Sequence, residues 1–355
     1  MLGDWKSAPA GTGRAHPLAD PEMEANAAMP NDAFRKRVFE LASRWLPSLR
    51  DAAHLRIHTD TTDFFDIQYG DVVILEGVPY LIRQNAKEGR FGLDDEEKFW
   101  VKRAINLEDS TRKIIKLVFH ERFTATIGNL QYECFRSPRK EARILSIVAD
   151  HPHFMHGLST IDSQGNIVRI LDHIYGHTLA DHVERLQIDH ERYFQEVFPS
   201  ILERYMESIR AIGTLHRHGE KHGDVRRDHI IIDGETGCYR WIDFDYNYRH
   251  RENIFGYDLF GLGNILMFLV GKGDVIVSEG HRDARNPVSG IQDGDVNIVF
   301  NNRLANLKKR YPYIPDALNR ILLHFSRGSR YFYEQTEQLL EDLESYRANR
   351  NLSAG

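Results

Sequence analysis

The segment from Leu215 to Asp245 restricts what this chain can fold into more than any other. It reads Leu-His-Arg-His-Gly-Glu-Lys-His-Gly-Asp-Val-Arg-Arg-Asp-His-Ile-Ile-Ile-Asp-Gly and, a few residues later, Tyr-Arg-Trp-Ile-Asp-Phe-Asp. Physically this is a helix end, a polar loop and two short β runs, 230–232 and 239–242. Turn signals at Asp233-Gly234 and Thr236-Gly237 join the two runs. Such a hairpin brings Asp224, at its start, close to Asp243, just beyond its end. Two carboxylates converging on one cleft, with Arg226, Arg227 and His229 between them, suit a site for a metal–phosphate complex. One can ligate a hard cation while the other orients a hydroxyl for attack. A charged surface loop followed by a hairpin would read the same way, so the rest of the chain has to decide.

His222-Gly223-Asp224-Val225-Arg226-Arg227-Asp228-His229 resembles the catalytic loop of protein kinases, H-R-D-L-x-x-x-N, and Asp243-Phe244-Asp245 resembles D-F-G. Upstream, Asp71–Leu75 and Val78–Ile82 flank a tight Glu76-Gly77 turn, followed by β runs at 98–105 and 113–119. Gly89-Arg90-Phe91-Gly92 resembles the back half of the family's glycine loop, with Lys87 where the first glycine would fall; a hairpin turn without a ligand reads equally well. Lys116 lies in an apolar run, where an ammonium needs a partner. The family precedent is V-A-I-K, whose lysine holds the α- and β-phosphates. Projection of Lys116 from the solvent face of its strand is the alternative.

Ser137-Pro138 opens a helix with Ile144, Leu145 and Val148 on its apolar face. Glu141 in its first turns matches the αC glutamate that pairs with the strand lysine. His151, His153 and His156 resemble the loop after αC rather than a zinc site, and His54 and His58 on a polar strand read as solvated or hydrogen-bonded side chains. Asp172–Gly176, with His173 and Tyr175, resembles the hinge that offers backbone groups to adenine; a plain strand-to-helix connection is the other reading. The apolar run 256–272 must be a helix buried on all sides. It resembles αF through Asp258 and Gly263, and the resemblance implies that Asp258 anchors the catalytic loop from below. Capping of its own helix is the other use of that carboxylate.

The expected fold is therefore α+β: a bilobed protein-kinase-like unit with a small antiparallel β lobe bearing one helix and a mainly helical large lobe. The expected division is a flexible leader (1–30), a helix and β extension (31–77), the small lobe (78–173), the large lobe (174–346) and a flexible tail (347–355). Within the extension, Phe34, Val38, Leu41, Ala42 and Trp45 share one helical face, and Pro47 ends it. The large lobe is expected to close with helices over 315–325 and 332–346.

Composition narrows function by exclusion. Across 355 residues the chain is 41% hydrophobic and 28% charged with net charge −6, basic and acidic residues being interspersed, so no basic face for nucleic acid is expected. No apolar run is long enough to span a bilayer, and the N-terminus lacks a signal-peptide core. Cys134 and Cys238 are expected as free buried thiols in a reducing cytoplasm.

The resemblance implies ATP with Mg²⁺ or Mn²⁺ and a hydroxyl acceptor on a protein, Ser or Thr foremost, or on a small molecule. It assigns Asp224 as base and Arg226 as a contact to the transferred phosphoryl group. Lys116 and Glu141 form the phosphate-binding ion pair. Gly89, Phe91, Gly92, His173 and Tyr175 belong to nucleotide binding, and Asp243, His229 and Asp245 to metal. Arg227 is a second phosphate contact or an ordinary surface charge. Three departures stand out. His229 occupies the Asn position, Asp245 replaces the glycine of D-F-G, and 15 positions separate Asp243 from Asp258, too few for a long activation loop. Retention of Lys116, Glu141, Asp224 and Asp243 favours phosphoryl transfer over a pseudokinase that only binds.

Overall fold

The computed structural model describes residues 32–88, 96–250, 253–277 and 290–354. The expected leader and the Gly89, Phe91 and Gly92 calls lie outside the described residues. The first element, α1 (Asp32–Ser43), buries Val38 and Ala42 against Leu55, Val72, Leu81 and Leu107, so the amphipathic helix docks on the sheet behind it. Trp45, expected on the buried face, is 36% exposed beyond the helix end. His54 closes a single 3-10 turn rather than joining a strand, and its Nδ1 lies 2.9 Å from Asp51. His58 lies on β1 (Ile57–His58), 3.0 Å from Asp71.

The small-lobe sheet comprises β1, β2 (Val72–Leu75), β3 (Val78–Glu88), β4 (Glu96–Asn106), β5 (Arg112–Lys116), β8 (Gly157–Ile161) and β9 (Ile167–Asp172), in the order β1-β2-β3-β4-β5-β9-β8. β2 and β3 turn at Glu76 and Gly77, both left-handed (φ 50° and 80°), the geometry of a twist-compatible two-residue hairpin. β5 ends at Lys116, three residues before the end expected for that run.

Between β5 and the helix α2 (Pro138–Ile147) lies an unanticipated hairpin, β6 (Arg122–Ile127) and β7 (Leu130–Arg136). Its second strand pairs with β13 (Tyr246–Arg249), the residues directly after Asp-Phe-Asp, giving a separate sheet β13-β7-β6. Ile127, Tyr132 and Cys134 from the hairpin, and Ile144, Leu145 and Val148 around α2, sit in one hydrophobic cluster with the large-lobe core. A lobe boundary at residue 173 is therefore not the packing boundary.

The large lobe continues with β10 (Gly176–Thr178), α3 (Leu179–Glu184), α4 (His190–Arg192) and a π turn into α5 (Phe198–Arg217). The hairpin β11 (Ile230–Asp233) and β12 (Tyr239–Trp241) forms where the turn residues placed it, in a three-stranded sheet with β10. α6 (Gly256–Gly271) is buried along nearly its whole length. At Gly261 an added Cβ would stand 2.5 Å from the Val225 carbonyl, so the polar loop lies directly on this helix.

α7 (Asp316–Leu323) and α8 (Thr336–Ala354) close the lobe. Residues 332–335 are not helical; α8 buries Leu339, Leu340, Leu343 and Tyr346 against the core and runs on into the stretch expected as a flexible tail. Cys134 is buried as expected, whereas Cys238 is only half-buried; both are free.

Candidate active site

β5 lies between β4 and β9, and its register places Lys116 opposite Arg169. Two cations on neighbouring strands in an apolar sheet require an anion, and Glu141 supplies it from the first turn of α2. Its carboxylate takes Lys116 Nζ at 2.8 Å and Arg169 Nε at 2.9 Å. All three side chains are buried, which excludes the solvent-facing reading of Lys116. The helix is fixed there by its Ser137 cap, which accepts from the Lys140 N–H, and by Pro138 in its first turn.

The second carboxylate on Lys116 is Asp243, at 2.6 Å through Oδ1. Asp243 adopts φ 65°, a left-handed conformation rare for a non-glycine residue, and strain of this kind is held where surrounding contacts over-determine it. Its Oδ2 accepts from Lys98 Nζ at 3.0 Å. Asp245, expected at the metal, is engaged elsewhere. Arg136, the last residue of β7, donates to its Oδ1 at 3.0 Å and its Oδ2 at 2.8 Å, and Lys116 Nζ lies 3.3 Å away. Arg136 also bonds Glu121 at 3.0 Å and stacks over Tyr246, 4.0 Å from the ring centre. The carboxylate that replaces glycine thus fastens the inserted hairpin.

Asp258 in α6 acts on the polar loop and not as a cap. It accepts from the backbone N–H groups of His222 and Gly223 at 2.7 and 2.8 Å, with His216 Nε2 at 3.1 Å. Gly223 is required on two counts: φ is 88°, and an added Cβ would meet the Tyr246 carbonyl oxygen at 1.9 Å. Lys140, fully buried beside Glu141, donates to the carbonyls of His222 at 2.7 Å, Phe244 at 2.8 Å and Tyr246. One ammonium therefore joins α2, the loop before Asp224 and the segment around Asp243. Burial draws its pKa down to about 8.

His229 links the two carboxylates expected to carry chemistry. Its Nδ1 donates to the Asp224 carbonyl at 2.9 Å, and the same nitrogen lies 3.5 Å from Asp224 Oδ2. Its Nε2 lies 3.6 Å from Asp243 Oδ2. Arg226 forms a two-pronged contact with Asp228, one arm of 3.0 Å, so it does not point at a phosphoryl position in this state. Arg227 is neither a phosphate contact nor a plain surface charge: it bonds both oxygens of Asp274 at 3.0 Å and covers Phe268. At the hinge, the Tyr175 carbonyl accepts from Gly234 at 2.7 Å, and the rings of His173 and Tyr175 lie 4.7 Å apart. His153 bonds the Tyr239 carbonyl at 2.9 Å and His156 the His151 carbonyl at 3.0 Å, both structural uses.

The electrostatics separate the two aspartates. For Asp243 burial is the largest influence and would raise its pKa, but Lys116, Lys98 and His229 overcome it and hold the carboxyl well below the usual range. Asp224 is raised: burial again leads, and His229 and Arg226 compensate only in part. Among the described residues, no group of three or more His, Cys, Asp or Glu forms a ready cage for a metal ion. Asp243 and His229 Nε2 are a donor pair to which phosphate oxygens would have to be added.

Sequence reasoning missed Arg136, Arg169 and Lys98. Arg169 obeys the rule applied to Lys116, a charge inside the apolar run Ile-Val-Arg-Ile-Leu. Arg136 ends a strand whose alternation was legible. Lys98 lies among charged residues and carries no signal of its own.

No protein-family profile matches the chain. Sperm motility kinase Z of Mus musculus is 27% identical over 122 residues, which cover 34% of this chain and 23% of that protein. The chain thus spans less than a quarter of that curated relative. The PknI kinase domain of Mycobacterium tuberculosis is a similar solved structure, at 13% identity and TM-score 0.45, covering 79% of this chain and 99% of that one. In this chain a strand lysine is joined to a helix glutamate, a loop is suspended from a buried helix aspartate, and an Asp-Phe-Asp segment meets both between a β lobe and a helical lobe. The fold is α+β, a β lobe bearing one helix set against a mainly helical lobe.

Proposed function

We propose that the chain is an ATP-dependent phosphotransferase that moves the γ-phosphoryl group to a hydroxyl. The observation that carries this reading is the unbroken path Glu141–Lys116–Asp243–His229–Asp224, with contacts of 2.8, 2.6, 3.6 and 3.5 Å. Lys116, held in place by Glu141, is suited to the α- and β-phosphates. Asp224 takes the proton of the acceptor hydroxyl as its oxygen bonds to the γ-phosphorus and the bond to the leaving ADP oxygen breaks. A divalent cation, Mg²⁺ or Mn²⁺, supplies neutralisation of charge on the β- and γ-oxygens when bound; Asp243 and His229 Nε2 are the groups that would hold it. Asp245 takes no part, because Arg136 holds both its oxygens.

A Ser or Thr of a protein is the acceptor that the sequence resemblance implies. A small-molecule alcohol is a second reading, favoured by one observation: residues 246–249, directly after Asp-Phe-Asp, are paired along β7, so that stretch offers no extended surface for a peptide.

Incubation with γ-labelled ATP and Mg²⁺ or Mn²⁺, resolving protein from small-molecule fractions, tests the proposal. Label is expected in an alcohol phosphoester. Retained nucleotide binding with no transfer to any acceptor would leave a pseudokinase and overturn the phosphotransferase.

A further inference from the structure

The carbonyls of His222, Phe244 and Tyr246 converge on one point between the loop that carries Asp224 and the segment that carries Asp243. The two stretches touch there, since an added Cβ at Gly223 would stand 1.9 Å from the Tyr246 carbonyl oxygen. His222, Phe244 and Tyr246 are all buried. Three carbonyl oxygens turned towards one another repel, and each, once buried, needs a donor. The ammonium of Lys140, itself buried, supplies three N–H groups, one for each. It acts as a tethered cation in a site made of carbonyls.

That position bears on both aspartates of the proposed reaction. The His222–Gly223 peptide, directly before Asp224, is gripped at both ends: its N–H donates to Asp258 at 2.8 Å and its carbonyl accepts from Lys140 at 2.7 Å. The Phe244 carbonyl, one residue after Asp243, accepts from the same nitrogen at 2.8 Å, and Asp243 itself is held at φ 65°. The helix α2 is already packed on the core through Ile144 and Leu145. What Lys140 adds is a single atom at which the two loops are joined.

We infer that Lys140 is a positioning residue for phosphoryl transfer, its ammonium setting the loop of Asp224 against the segment of Asp243. The inference rests on the phosphotransferase reading. A neutral amine would keep two N–H groups and turn a lone pair on the third carbonyl, so the tie needs the proton. Burial, the largest influence, draws the pKa down to about 8 against Asp258 on α6, Asp245, Glu220 before the loop and Glu141 on α2. His222 beside it is neutral, its pKa pushed down to about 3 by burial.

The test follows label from γ-labelled ATP, with Mg²⁺, into any acceptor, water included, for the full chain as wild type, Lys140→Met and Lys140→Ala. Lys140→Met should lower kcat about a hundredfold and leave the KM for ATP within about threefold, because Lys116 keeps Glu141. In Lys140→Ala, propylammonium, the fragment removed, should restore part of kcat, and neutral propan-1-ol should not. The wild type gives a reading that needs no variant to fold: kcat should fall as pH rises through about 8. Wild-type kcat in Lys140→Met, equal rescue by propan-1-ol, or a wild-type kcat that is flat from about pH 7 to 10 overturns the role of Lys140 alone. Absence of label in every acceptor with the wild type overturns the phosphotransferase reading and this inference with it.

Discussion

The small-lobe face of the cleft and the catalytic-loop face use carboxylates in opposite ways. On the first, Glu141 and Asp245 are sealed from water with both oxygens on cations, and the Lys116 and Arg169 side chains are at most 3% exposed. On the second, Asp224 has His229 3.5 Å from its carboxylate and a pKa raised by burial. A buried carboxylate saturated by cations is inert as a base but rigid; one left incompletely compensated is costly and reactive. The first kind fixes position; under the proposed phosphotransferase reading, the second is the one that would accept a proton.

That contrast can be broken from either side. The largest effect is expected for Asp224→Asn, which removes the base but not the fold: transfer should drop by about 10²–10⁴ while the ATP-dependent rise in Tm persists. A variant with wild-type kcat would refute the assignment. Next comes Glu141→Ala, which strands Lys116 and Arg169 without their shared anion. Unfolding in guanidinium should show a loss of about 3–5 kcal/mol, and a loss below about 1 kcal/mol would mean that the cluster positions nothing.

The smallest effect, and the one that sharpens the comparison, is in pH. A base must be deprotonated to act, and the Asp224 pKa is raised. Activity should therefore fall with acid at a pH above the ordinary aspartate value of about 3.9. An acid limb of kcat/KM at or below that value would show Asp224 to be as well compensated as Asp243.

The landmarks were legible because each is a local chemical requirement. Lys116 in an apolar run demanded an anion, Asp233-Gly234 demanded a turn, and an apolar helix from Gly256 demanded burial. What escaped was pairing across long separations. The alternation of Arg122–Ile127 and Leu130–Arg136 about Gly128-Asn129 is a hairpin signal, but its partner strand lies more than a hundred residues on, and only that pairing explains why glycine could be replaced at 245. Residues 332–335 read as helix by their spacing; in the fold Phe332 and Tyr333 pack from an irregular segment instead.

By itself the chain's order of residue types marked its helices, turns and charged apolar runs, since periodicity, turn chemistry and buried charge act over a few residues, and its resemblance to protein kinases implied the bilobed architecture and singled out Lys116, Glu141, Asp224, Asp243 and Asp258. Only the tertiary structure decided which cation each carboxylate receives. Arg136 holds Asp245, which the resemblance had implied for a metal, Lys98 joined Asp243, and Arg226 turned to Asp228. The physical reason is distance. A Coulomb or hydrogen-bond partner is chosen within about 3–4 Å, and that spacing is set by the packing of strands and helices far apart along the chain.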